Sequence, residues 1–131
     1  MEDMSFLKLV APEEIIHYFD LVKVQEKSSY FELLFEEKKD LVPTELSKND
    51  AVLDGFCNPL SLLSFPLKGM PTYLVIKRRR WKLKGNEKHF SNDYYFNHPG
   101  VKATKEFAAF LKEVYGHTPD QYLRVCGIDG D

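Results

Sequence analysis

The chain has 131 residues, with 18 Lys and Arg against 20 Asp and Glu, 4 His and 2 Cys. That length suits one domain, and 44% hydrophobic residues beside 29% charged ones exclude a disordered tail. No apolar run approaches the roughly 18 residues of a membrane span, Met1-Glu2-Asp3-Met4 is acidic where a secretory leader is basic, and Cys57 and Cys126 form no disulfide framework, so a soluble protein of the reducing cytoplasm is expected.

The first predicted element is a short helix opened by Ala11-Pro12-Glu13-Glu14, with Pro at its first position and the acidic pair on the positive end of the dipole. Ile15, Ile16 and Phe19 are its expected buried residues. From Leu21 the period changes to two. Val22 and Val24 alternate with Lys23 and Gln25, and after Ser28-Ser29 a second run carries Phe31, Leu33 and Phe35 on one parity. This reads as a β-hairpin with one buried face. The polar stretch Leu41–Asp50, which contains Pro43, is the best candidate for a linker within the chain.

Ala51-Val52-Leu53 starts another strand, broken at Asp54-Gly55, and Leu60–Phe65 is apolar. Pro66-Leu67-Lys68-Gly69-Met70-Pro71 is a turn, since Gly supplies the positive φ of a tight reversal. The longest strand candidate follows, Thr72–Leu83. One parity carries Tyr73, Val75, Lys77, Arg79, Trp81 and Leu83; the other carries Leu74, Ile76, Arg78, Arg80, Lys82 and Lys84. The second parity turns from apolar to basic halfway, so the strand is expected to project past the core in which it starts. A turn at Lys84-Gly85-Asn86-Glu87 precedes short strand candidates at His89-Phe90 and Tyr94–Phe96.

The clearest helix places Phe107, Phe110, Leu111 and Val114 at i, i+3, i+4 and i+7, one buried stripe, and ends at Gly116. Thr118-Pro119-Asp120-Gln121 has the form of a capping box and opens a second short helix through Tyr122 and Leu123. Helix, tight turn, helix is also how a helix-turn-helix begins, but the local charge here is acidic.

Charge is strongly segregated beneath a net of −2. Residues 1–60 carry 6 basic and 13 acidic residues, residues 61–112 carry 11 and 3, and residues 113–131 carry 1 and 4. A basic middle third points to a polyanionic partner; alternatively, the acidic N-terminal third neutralises it across a surface. The basic stretch is Lys77-Arg78-Arg79-Arg80-Trp81-Lys82-Leu83-Lys84, extended by Lys88 and by Lys68 and Lys102. Alternate strand residues stand about 6.6 Å apart on one face, close to the phosphate spacing along one DNA strand. Arginine adds a planar fork that grips phosphate at two points. Lys77, Arg78, Arg79, Arg80, Lys82, Lys84 and Lys88 are therefore the candidate nucleic-acid-binding residues. Trp81 either stacks on a base or anchors the strand, and its parity with Tyr73 and Val75 favours the core.

No catalytic or cofactor motif is present. His17, His89, His98 and His117 pair with no Cys or His at a metal-ligand spacing, and neither Cys has a partner two to four residues away. There is no Gly-rich phosphate loop and no nucleophile elbow. Carboxylates are many but unpatterned, although Asp20, Asp54 and Glu87 are able to meet in space.

Leu53-Asp54-Gly55-Phe56-Cys57-Asn58-Pro59-Leu60, then Ser64-Phe65-Pro66-Leu67-Lys68-Gly69, Tyr73-Leu74, Arg78-Arg79-Arg80-Trp81 and Thr104–Lys112 stand in a recognisable order. Over roughly residues 45 to 125 the chain resembles the N-terminal region of bacterial insertion-sequence transposases of the ISAon family. The Phe-Pro-Leu-Lys-Gly turn followed by the Arg-Arg-Arg-Trp strand is its most specific element. More distantly, the hairpin is similar to the zinc-ribbon segment of related transposases, but the Cys pairs are missing. The resemblance then implies that Trp81, Phe90 and neighbouring aromatics pack where a metal would sit, so no bound zinc or other cofactor is expected. It also implies recognition of the element's terminal DNA. Strand cleavage in such families belongs to a separate carboxylate-triad domain, so this chain is expected to bind rather than cut. A separately encoded catalytic transposase subunit is the expected protein partner, and no membrane is involved.

The expected fold class is α+β: antiparallel hairpins or a small sheet, a short N-terminal helix and a C-terminal amphipathic helix pair. Residues 1–131 are read as one DNA-binding-like accessory domain. Sub-lobes at 1–42 and 50–125 are allowed, since the acidic hairpin either stands apart or shares one sheet.

Overall fold

A two-residue turn sets the frame of the molecule. Lys68 and Gly69 both have positive φ, 52° and 74°, the combination that matches a hairpin turn to the right-handed twist of its strands. A side chain is strained there, so glycine suits the second position. The structure is a computed structural model and describes residues 4–126. Its helices are α1 (Met4–Lys8), α2 (Glu13–Tyr18), α3 (Lys105–Tyr115) and α4 (Pro119–Val125). Its strands are β1 (Phe19–Glu26), β2 (Phe31–Glu37), β3 (Ala51–Phe56), β4 (Leu60–Leu67), β5 (Met70–Lys77), β6 (Arg79–Leu83) and β7 (His89–Phe90). The fold is α+β. Among the described residues no helix is long and apolar enough to cross a membrane.

Two sheets share one bent ribbon. The first has the order β1-β2-β5-β4 and the second β3-β6-β7. β4 pairs with β5, and β3 with β6, both antiparallel. The ribbon therefore runs from the Lys68-Gly69 turn through both sheets and changes sheet at Arg78, where the Cys57 N–H donates to the Arg78 carbonyl at 2.9 Å. The basic half of the long strand does not project freely, as its composition suggested. It becomes the central strand of the second sheet.

β2 and β5 run parallel, with Phe31 opposite Thr72 and Glu36 opposite Lys77. Parallel neighbours need a long crossover, and residues 38–50 with β3, β4 and the turn supply it. The acidic hairpin and the basic ribbon thus share one sheet instead of forming separate lobes. The 41–50 stretch has no helix or strand, as expected of a linker, but it is packed down: Pro43 and Leu46 are buried.

Each face of the first sheet is covered. Leu62 and Leu74 join Leu33, Phe35 and Ile76 against Ile15, Ile16 and Phe19. Leu63, one residue from Leu62 and therefore on the opposite face, packs with Phe107, Leu111 and Leu123 of the C-terminal helices. The free edge of β4 is closed by the 102–104 segment: the Leu63 N–H donates to the Lys102 carbonyl at 3.0 Å and the Thr104 N–H to the Leu63 carbonyl at 2.9 Å.

Several local expectations hold. Gly116 ends α3 in the left-handed conformation, and the Thr118–Gln121 capping box forms. Others are corrected. α1 was not anticipated, and Pro12 stands just before the first turn of α2 rather than in it. Val22 and Val24 are exposed: Val22 is the extra residue where the register slips between Leu21 and Lys23, and Val24, opposite Leu33, lies on an edge strand. On α3 only Phe107 and Leu111 are buried; Phe110, whose ring rests against Phe65, and Val114 are exposed. Tyr94–Phe96 forms no strand, although Phe96 is buried in the first core.

Candidate nucleic-acid interface

Strand alternation divides the basic residues into two sets. Arg79 and Trp81 lie on the inner parity of β6, Arg80 and Lys82 on the outer. Trp81 is 4% exposed, opposite Leu53 on β3 and Phe90 on β7. It is a core residue, and base stacking by this indole is excluded.

Arg79 is bound within the molecule. Its Nε donates to the Glu37 carbonyl at 2.6 Å, its backbone N–H to Glu37 Oε1 at 2.8 Å, and its guanidinium lies 3.7 Å from Glu36. Glu37 is 1% exposed and also accepts from Asn92 Nδ2 at 2.9 Å and from the Tyr94 hydroxyl. Burial, and then the hydrogen bond to Glu37, push the Tyr94 hydroxyl far above its ordinary pKa, so it stays a donor. This network ties the end of β2 to the point where the ribbon changes sheet. Arg78 is engaged beside it, donating to the Asn92 carbonyl at 2.9 Å and pairing with Asp93 at 3.2 Å. Lys77 and Arg79 both stand 4.8 Å from the centre of the Phe56 ring.

The outer parity differs. Arg80 Nε donates to the Asp54 carbonyl at 2.8 Å, and its side chain remains 43% exposed, 3.9 Å from the Asp54 carboxylate. His89 on β7 meets that carboxylate at 2.5 Å. Gly55, with φ +82°, forms the irregularity between Leu53 and Phe56 that aims Asp54 at them. The hydrogen bond from His89 holds the Asp54 carboxyl below its usual range against partial burial, with help from the charges of Lys82, His89 and Arg80. Lys82 lies beside His89 in register. Lys84 and Lys88 are exposed in the connection from β6 to β7, Lys68 at the hairpin turn and Lys102 beside β4.

The expectation of an arginine ribbon bare to solvent is therefore corrected. Of the seven candidates, Arg79 is an internal anchor, Arg78 is partly tied down and Lys77 leans on Phe56. Arg80, Lys82, Lys84 and Lys88 stay at the surface of the second sheet and its turn. Glu36 and Asp54 come from the acidic third, so part of the charge segregation closes on itself. The Asp54–His89 pair was missed. Its two residues are 35 apart in sequence, and only the pairing of β3 and β7 on either side of β6 brings them together.

Cys57 is the one cysteine in the ribbon, and among the described residues no group of three His, Cys, Asp or Glu side chains is placed to hold a metal. Asp20, Asp54 and Glu87 accordingly form no such cluster. Comparison with models of protein families, with curated proteins and with solved structures finds no match to the chain.

Proposed function

We propose that this chain is the N-terminal, DNA-binding region of an insertion-sequence transposase, and that it binds without cutting. The observation that carries the reading is the row of surface cations on the second sheet, Arg80 and Lys82 with Lys84 and Lys88 in the adjoining turn. It is held in place by internal anchors that use Arg78 and Arg79 from the same run. The order of the Phe-Pro-Leu-Lys-Gly turn and the Arg-Arg-Arg-Trp strand supplies the transposase context.

Phosphate contacts from four such side chains give a salt slope of roughly −3.6, so affinity for duplex DNA falls by about two orders of magnitude between 50 and 200 mM salt. Anisotropy titration of a labelled duplex at four salt concentrations tests this. Binding that is absent at low salt, or indifferent to salt, overturns it.

A second reading is favoured by a separate observation. Phe110, Val114, Tyr115 and Val125 on the C-terminal helix pair are exposed, which suits docking onto a separately encoded catalytic subunit. Co-purification with the product of an adjacent transposase gene, lost in Val114→Glu, is its expected outcome.

A further inference from the structure

α3 has two working stripes. Phe107 and Leu111 enter the core, and about a third of a turn away Lys105, Ala108, Ala109 and Lys112 face a groove of about 510 Å³. Its other wall is His98 and Val101 from the loop before α3 and His117 and Pro119 from the turn into α4. Among the described residues no carboxylate lines it, and neither lysine is in an ion pair. The two alanines keep the middle shallow and apolar, while a cation stands at each end, about 10.5 Å apart along the helix axis. Beside the groove Tyr95 is 52% exposed. Its hydroxyl is held by His98 Nδ1 at 2.6 Å, and the Lys105 ammonium lies 4.0 Å from its ring centre.

We propose that this groove binds one unpaired nucleotide, with the base against Tyr95 and the alanine floor and the two flanking phosphates at Lys105 and Lys112. An exposed, oriented aromatic ring beside cations on flexible stems is how single-stranded nucleic acid is gripped without regard to sequence. Two cations separated by an apolar floor fit a ligand with an anion on either side of a ring better than a single anion. Val101 and Pro119 give the base a second apolar wall. The groove uses no residue of the second sheet, so it stands or falls apart from the duplex-binding reading.

The test is chemical-shift mapping on the whole chain with thymidine 3′,5′-bisphosphate, thymidine 5′-monophosphate, inorganic phosphate and a short single-stranded oligothymidylate. The expected result is a set of shifts centred on residues 98–101 and 105–119, with the bisphosphate bound more tightly than the monophosphate and inorganic phosphate weakest. Lys105→Ala and Lys112→Ala should each weaken binding roughly tenfold, and Tyr95→Ala by about fivefold or more. Ala109→Leu keeps the helix and fills the floor, so it should abolish the shifts with an unchanged melting temperature. Arg80→Ala/Lys82→Ala should leave them intact. Binding of the bisphosphate identifies a free nucleotide as sufficient, whereas binding of the oligonucleotide alone identifies a unit of a strand. Absence of both at millimolar ligand overturns the proposal, as does binding that Ala109→Leu and the lysine substitutions leave unchanged.

Discussion

Replacing Glu37 by Ala tests whether the arginine run is structural at its centre. The Glu37 side chain is 1% exposed and accepts three hydrogen bonds, from the Arg79 backbone N–H, the Asn92 amide and the Tyr94 hydroxyl. Alanine leaves those donors without their partner, while the bond from Arg79 Nε to the main-chain carbonyl of residue 37 is retained. Each stranded donor costs about 1–3 kcal/mol before relaxation. Water will reach Asn92, which is only half-buried, so the Arg79 N–H and the Tyr94 hydroxyl left stranded make a net loss of about 3–4 kcal/mol the expected result. That is a large part of the roughly 5–15 kcal/mol that stabilises a domain. In urea, with a slope near 2 kcal/mol per molar, the midpoint should fall by about 1.5–2 M with the slope unchanged. Glu36→Ala is the control: its contact is at 3.7 Å with both side chains partly in solvent, so it should cost less than about 1 kcal/mol. A Glu37→Ala loss no larger than that of Glu36→Ala would refute the account of Glu37 as the buried acceptor that ties β2 to the bend of the ribbon.

Three further outcomes follow from the same geometry. Arg80→Ala/Lys82→Ala should reduce the salt slope of duplex binding by roughly 1.8 with little change in melting temperature, whereas Arg79→Ala should lower stability first; parallel anisotropy and melting measurements separate the two. Asp54→Asn removes the carboxylate that occupies Arg80 and His89, so duplex affinity at low salt should rise, roughly threefold to tenfold, and unchanged or weaker binding would count against the outer face. Tyr94 has its pKa raised in the folded protein, so its contribution to stability is present below about pH 10 and is lost as the unfolded chain begins to ionise above it. Urea midpoints between pH 8 and pH 11 should therefore decline with pH, less steeply in Tyr94→Phe.

Local chemistry made much of this protein legible before any coordinates. The Lys68-Gly69 reversal, the Phe31, Leu33 and Phe35 face, the Gly116 stop and the Thr118–Gln121 box depend on residues within a few positions of each other, and each formed as its residue types require. Trp81 was assigned to the core by parity alone, and its environment agrees.

What a linear pattern lacks is knowledge of which strand lies alongside. That the end of β2 would hold Arg79, through Glu36 and the carbonyl of Glu37, follows from the parallel pairing of β2 with β5, across 42 residues of sequence. That Asp54 would hold His89 follows from β3 and β7 flanking β6. Charge and hydropathy identify what a residue is able to do, and the sequence alone established a basic strand, its turn and its capped helices. Tertiary structure decided which cations remain available, because a guanidinium buried against a carboxylate is spent on the fold, and burial is a property of neighbours that are distant in the chain.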